Sequence, residues 1–290
     1  MSQRLFNYYV CGLKIGSEFD LGIAQTQHSE ADVRIVKVAV LPQVVLQEDA
    51  LKLKSPVAEI AIVKGKEVFL VIKPEATDEE VRLEIIHTVL TELLIKRNIV
   101  CLHGCVVTKE NVTAAFIAPS GMGKSTLAAA LVKHKWNLVS DDLVLLGVEN
   151  NRVVVFPSFS RIRLWEEGIE RLALSGLNKE PIANRPGKYA LDVEKKCDPS
   201  DRFRLTHLYH LERSKGFSQI ELKKVGKKEQ FWGLLENTFA SQEVDSGSEL
   251  HRFKLFKRLL TEVSYKELKL PDDYRQLAPS VEQLLIDLTL

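Results

Sequence analysis

The chain has 290 residues, 45% of them apolar and 27% charged, which is ordinary for a folded globular protein with a substantial core. Forty basic residues against 39 acidic ones leave a formal charge of +1, so no whole-chain electrostatic case for nucleic acid exists. No apolar run approaches the roughly 18 residues a bilayer-crossing helix needs, which argues against a membrane partner.

The N-terminus carries only Arg4 before a short, Tyr-rich apolar run and does not read as a secretory signal. Residues 1–75 read as a β-rich accessory lobe. Strands are predicted over 6–12, 33–40, 59–63 and 68–72, with Gly65 in a hairpin. A long helix follows: Thr77 and Glu80 have capping-box spacing, and Val81, Ile85, Val89 and Leu93 recur at helical intervals up to Asn98. A strand beginning at Ile99 then carries His103 and Gly104. Four cysteines, Cys11, Cys101, Cys105 and Cys197, form no CxxC pair and no zinc spacing. They read as buried thiols in a reducing compartment, and the expected location is the cytoplasm.

Val112–Ile117 is a short run of β-formers, and Leu127–Val132 is a run of helix formers. Between them lies Ala118-Pro119-Ser120-Gly121-Met122-Gly123-Lys124-Ser125-Thr126, which reads as a phosphate-cradling P-loop. Gly121 and Gly123 let the backbone curl with φ > 0 and keep Cβ atoms away from the anion. The following helix aims its positive end at the same point. Ser120 to Thr126 are the expected nucleotide-binding residues. Lys124 reaches the β/γ-phosphates and Ser125 offers its hydroxyl to Mg²⁺.

Downstream, Asn137–Ser140 leads into Asp141-Asp142 and then Leu143–Leu146, an apolar strand interrupted by two carboxylates. Buried carboxylates need compensation, and a magnesium ion opposite the loop hydroxyl supplies it. Successive strand residues point apart, so the two serve different jobs unless the strand ends there. One orients the metal while the other accepts a proton, although Ser-Asp-Asp is also good turn or cap chemistry. Later elements are a strand over 153–157, a helix from Glu166, strands near 188–193, 205–212 and 218–224, and helices over 227–240, 248–263 and 280–289. His207 and His210, three apart on a strand, face opposite sides and do not form a metal pair.

The order Leu102-His103-Gly104, then the loop ending Gly123-Lys124-Ser125, then Leu138-Val139-Ser140-Asp141-Asp142 resembles the catalytic domain of HPr kinase/phosphorylase. It is also similar to the related kinases of lasso-peptide gene clusters. The resemblance is most specific over 99–170. It implies an α/β (α+β) fold like that of phosphoenolpyruvate carboxykinase, with a catalytic domain over 76–290. It implies a kinase that uses ATP and Mg²⁺ on a serine hydroxyl. By position Asp142 is then the base, His103 a further active-site residue, Lys124 the phosphate ligand, and Ser125 and Asp141 the metal side. Glu167 falls where the family has a further metal-side carboxylate. Arg185-Pro186-Gly187-Lys188 is similar to a basic loop that approaches the substrate. The N-terminal lobe and the segment Ser160–Trp165 look more like the lasso-peptide kinases. The expected partner is therefore a peptide or small protein, with a lasso precursor as the substrate and Arg161, Arg163, Arg185 and Lys188 holding its terminal carboxylate. Alternatives are pairing of those arginines with Glu166, Glu167 and Asp192, an HPr-type or small-molecule acceptor, or an NTPase switch. Self-association into a homo-oligomer is left open.

Overall fold

The structure, a computed structural model, describes residues 5–27, 30–47, 50–159, 161–182, 185–193, 197–241 and 246–289. The chain divides into two compact units, Met1–Ile99 with Ala240–Glu249, and Val100–Phe239 with Leu250–Leu290. The boundary expected at residue 75 thus falls inside the first unit, which keeps the long helix with the strands before it.

The first unit is built on a six-stranded sheet: β1 (Phe6–Val10), β2 (Leu13–Ser17), β3 (Val33–Lys37), β4 (Ala50–Lys54), β5 (Ala58–Val63) and β6 (Glu67–Ile72), in the order β1-β2-β3-β6-β5-β4. The strand expected over 6–12 stops at Val10, because Cys11 (φ 55°) and Gly12 (φ 73°) form the turn that starts β2. Lys64 (φ 51°) and Gly65 (φ 63°) do the same between β5 and β6. Turns with both central residues at positive φ match the twist of the strands they join. The helical segment begins with a closed capping box: Thr77 Oγ1 accepts from the Glu80 N–H at 3.3 Å, and the Thr77 N–H donates to Glu80 Oε2 at 2.9 Å. It runs through Asp78–Glu84, a π turn at Ile85–Val89 and Leu90–Ile95, and the chain reverses at Asn98 (φ 60°).

The second unit centres on β7 (Val100–Lys109) and β8 (Val112–Ile117), followed by α1 (Lys124–Lys133), β9 (Asn137–Ser140), β10 (Leu143–Glu149) and β11 (Arg152–Phe156). Next come β12 (Arg161–Trp165), α2 (Glu166–Arg171), β13 (Lys179–Pro181), β14 (Lys188–Asp192), β15 (Phe203–Arg204), β16 (His207–Ser214) and β17 (Glu221–Lys223). The chain closes with α3 (Lys227–Glu236), α4 (Ser246–Glu262), β18 (Ser264–Pro271) and α5 (Leu277–Thr289). The main sheet has the order β15-β11-β10-β7-β8-β16-β18-β17, with β9 also paired to β7. β8 runs antiparallel to β7 and parallel to β16, so the sheet is mixed and the class is α/β. A doubly wound, all-parallel sheet is excluded.

Both faces of β8 are covered, which is why its sequence is apolar throughout instead of alternating. Phe116 packs with Leu127 and Leu131 of α1 and Leu284 of α5 on one face. Ala115 and Ile117 pack with Leu234 of α3 and Phe256 and Leu259 of α4 on the other. Each such fully buried large side chain contributes about 1.5–3 kcal/mol. This packing fixes the C-terminal end of β8, where the loop with Gly121 and Gly123 begins. All four cysteines are buried free thiols. No helix among the described residues is long and apolar enough to cross a membrane.

Candidate active site

The loop after β8 has the conformation its glycines allow. Gly121 and Gly123 both sit at φ 89°, and Gly123 is the residue from which α1 starts. A Cβ built on Gly121 would meet nothing within 4 Å, so the space above the loop is open. The backbone ladder of α1 begins with the Leu127 N–H donating to the Gly123 carbonyl at 2.9 Å, so the N–H groups of the helix's first turn precede the ladder, as at any helix start. The result is an open cradle of donors at a helix N-terminus, which fits a phosphate. Lys124 lies inside it, 6% exposed, its Nζ donating to the carbonyls of Ala118 (2.7 Å) and Pro119 (2.9 Å). Burial holds its pKa below the ordinary lysine value. Ser120 is exposed at the loop's entrance.

The carboxylates sit at a corner, not within one strand. β9 ends at Ser140 and β10 begins at Leu143, and both lie along β7, through Val106↔Ser140 and His103↔Leu143. Asp141-Asp142 is the break between them, with Asp142 at φ 73°. The break faces Gly104, whose N–H donates to the Asp142 carbonyl at 3.2 Å. A Cβ on Gly104 would stand 2.5 Å from the Phe116 carbonyl oxygen and 2.7 Å from Val144 Cγ2. Only glycine fits there. Asp141 turns inward, 3% exposed, accepting from Ser125 Oγ at 2.9 Å and from the Arg163 N–H at 3.1 Å. Asp142 turns to the cleft, where its Oδ2 pairs with Arg163 Nη1 and its Oδ1 lies 3.9 Å from His103 Nε2.

The electrostatics follow from this arrangement. Burial, then the neighbouring Asp142 charge, pushes the Asp141 carboxyl up to about 6. A divalent cation beside it would remove that cost. Magnesium needs only one or two protein oxygens beside its phosphates and waters, so Ser125 and Asp141 fit it. His103 is held below the ordinary histidine value by burial and by Lys124, which keeps the ring neutral at pH 7. Its N–H of the backbone donates to the Asn237 carbonyl at 2.7 Å, and its ring rests on Phe239 with centroids 5.9 Å apart. Lys188 is also held down, by burial and then by Arg185, within reach of the Asp142 charge.

Lys124, Ser125, Asp141, Asp142, His103, Arg163 and Lys188 therefore meet at one place. Other expected residues do not. Glu167 is exposed on α2 and lies 3.8 Å from Arg171, one turn further on. Among the described residues no group of three or more His, Cys, Asp or Glu side chains is placed to hold a metal ion, so Glu167 does not complete a metal set with the two aspartates. Arg161 is committed to Asp192 and Glu180, each at 2.8 Å, because β12 pairs with β14 in the register Arg161↔Asp192. It ties the three-stranded sheet β12-β14-β13 together and offers no fork to a ligand. Arg185 is exposed at the start of a turn closed by the Lys188 N–H to its own carbonyl at 3.0 Å, with Gly187 at φ 80°. Lys188 stands opposite Trp165 on the neighbouring strand β12, its Nζ 5.7 Å from the indole centroid.

Sequence reading missed Arg213. It sits on β16, beside the loop, with Nε 2.9 Å from Asp272 Oδ1 and its guanidinium 5.4 Å from the Tyr274 ring. Its Nη1 is 3.1 Å from where a Cβ on Gly123 would be. No local motif marks it, because the strand pairing that brings β16 to β8 spans about a hundred residues.

Compared with known proteins, the chain matches no family model and no curated protein. Among solved structures it is similar to the Hpr(Ser) kinase/phosphatase from Coxiella burnetii, with a TM-score of 0.31 and 11% identity over 64% of this chain and 98% of that one. A likeness so slight leaves function to be argued from this chain's own residues.

Proposed function

We propose that the chain is a Mg-ATP-dependent kinase that phosphorylates a serine hydroxyl of a peptide or small protein. The observation that carries this reading is the direct contact of Ser125 Oγ with Asp141 at 2.9 Å, one residue from the cleft-facing Asp142. A loop hydroxyl beside a buried carboxylate is a place for a metal, and a second carboxylate beside it is a place for a base. Ser125 and Asp141 would hold magnesium, which when bound neutralises the charge of the transferring phosphoryl group. The donors of residues 121–126 and Lys124 position the phosphates. Asp142 takes the proton of the acceptor hydroxyl as the hydroxyl oxygen attacks the γ-phosphorus, while the bond from that phosphorus to the bridging β-phosphate oxygen breaks and ADP leaves. Neutral His103 stands behind Asp142 as an acceptor for that proton. Arg163 and Lys188 supply positive charge on the acceptor side.

The finer reading is that the acceptor is a lasso-precursor peptide, modified at a serine near its C-terminus. It rests on the sequence resemblance, with Arg163, Lys188 and Arg185 left as the cations for a terminal carboxylate once Arg161 is set aside. Incubation with γ-labelled ATP, magnesium and candidate peptides tests the first reading: label on peptide serine is expected. Label passing only to water would make the chain a P-loop hydrolase. No turnover would make it a binding module.

A further inference from the structure

The small sheet β12-β14-β13 has an inward and an outward face. Ile162 and Leu164 of β12 are buried, so by the alternation of a strand Arg161, Arg163 and Trp165 share the outward face. Register sets Lys188 beside Trp165, Ala190 beside Arg163 and Asp192 beside Arg161. The three rows differ in what they offer. Arg161 is neutralised by Asp192 and Glu180. Arg163 holds both carboxylates of the corner, its N–H donating to Asp141 Oδ2 at 3.1 Å and its Nη1 paired with Asp142. Trp165 is 52% exposed, and among the described residues it is the large apolar side chain that this sheet leaves in solvent. Its backbone is fixed by the pairing with Lys188 and by the Glu166 N–H, which donates to the Gly187 carbonyl at 2.9 Å.

Resting on the serine-kinase reading, we propose that Trp165 determines acceptor specificity by receiving an aromatic side chain of the peptide, two residues from the serine that is phosphorylated. Asp142, as the base, marks where the acceptor oxygen must sit, and Arg163 stands against it. Trp165 lies one strand repeat beyond Arg163, about 7 Å along β12, which is also the spacing of side chains on one side of an extended peptide. A peptide lying along β12 with its serine at Asp142 therefore lays its second neighbour on the indole. The middle row raises only the methyl group of Ala190 from β14. A fixed, half-exposed indole offers a flat apolar surface on which another ring gains offset or edge contacts. Lys188, with its Nζ 5.7 Å from the ring centroid, turns away a basic side chain at the same place.

Initial rates with γ-labelled ATP, on serine peptides in which one phenylalanine is moved through a glycine background, test this. For the wild-type chain, phenylalanine at the second position on one side of the serine should raise kcat/KM about three- to tenfold over glycine, mostly through KM. Arginine at that position should give no gain. Trp165→Ala should bring the ratio of phenylalanine to glycine peptide close to one, and Trp165→Phe should keep most of it. Melting curves establish that the variants are folded, and the wild-type scan decides alone if Trp165→Ala is not. Equal kcat/KM at every position, or a preference that survives in Trp165→Ala, overturns the proposal and leaves the kinase reading intact. Weaker Mg-ATP binding by Trp165→Ala places the ring against the nucleotide and also overturns it. A wild-type chain that labels none of the peptides overturns the kinase reading itself, and the role of Trp165 with it.

Discussion

Asp141 and Asp142 are neighbours in sequence with opposite surroundings, and their substitutions should separate accordingly. Asp142→Asn keeps the cradle and its donors but removes the acceptor for the hydroxyl proton. Phosphoryl transfer should fall by about 10²–10⁴-fold with nucleotide affinity nearly unchanged. A variant with near-wild-type turnover would make Asp142 a corner residue and nothing more. Asp141 should show itself in stability. Its carboxyl rises on folding from 3.8 to about 6, so the folded chain holds that proton more tightly than the unfolded chain does. Stability from this group is full below the unfolded value and is lost as pH rises through about 6, a change of order 3 kcal/mol. In metal-free buffer Asp141→Asn should therefore melt above wild type at pH 8, with the gap closing toward pH 4. Magnesium with nucleotide should reverse the order at pH 8. Parallel melting curves across that range would remove the buried-carboxylate account.

At the scale of elements, the site depends on two strands in series, β9 and β10, sharing one side of β7. Gly104 makes the break possible. Gly104→Ala places a Cβ against backbone on one side and a branched side chain on the other, so relaxation must move β8 or β10. Overpacking of this kind costs about 1–3 kcal/mol. Since β8 carries the loop and β10 carries Asp142, transfer should fall with stability. Denaturant unfolding and single-turnover kinetics on the same variant check both, and a stable, active Gly104→Ala chain would show that the corner tolerates a side chain. The hairpin β13–β14 acts similarly for the acceptor side. Pro186 and Gly187 set the turn that places Lys188 across from Trp165.

For the molecule as a whole, every residue assigned to phosphate, metal or base belongs to the unit Val100–Phe239 with Leu250–Leu290. Saturating Mg-nucleotide at a hundredfold above its dissociation constant should stabilise by about 2.7 kcal/mol. The gain in hydrogen-exchange protection should concentrate at residues 118–131 and 139–145, and the strands β1–β6 should change least. Equal protection in both units would place part of the binding energy outside the site described. The acceptor reading also belongs to this scale. A peptide with a free C-terminal carboxylate should show a lower KM than its amide, and equal kinetics would leave an internal serine as the target.

How much of this was legible in the sequence depends on the range of the interaction concerned. The strand, the glycine loop and the helix that follows were legible because they are contiguous, and backbone sterics alone demand that order. The capping box at Thr77 and Glu80, and helices α1, α3 and α5 to within a few residues, were legible for the same reason. The partner of Ser125 was suggested by chemistry, since two carboxylates in an apolar run need compensation. Which carboxylate turns inward was decided by the corner at Gly104, a product of pairing to β7. The second strand of the first hairpin and β18 were passed over, because their patterns are short and mixed. Tertiary structure alone decided the fate of the arginines. Strand register gave Arg161 to Asp192, the approach of β12 to the Asp141-Asp142 corner gave Arg163 to Asp142, and the parallel pairing of β16 with β8 delivered Arg213 to the loop. Local sequence determines what a segment can do with its own backbone. Which distant charge meets which is fixed only when the sheet closes, because ion pairs and cavities depend on register and on burial that no single segment contains.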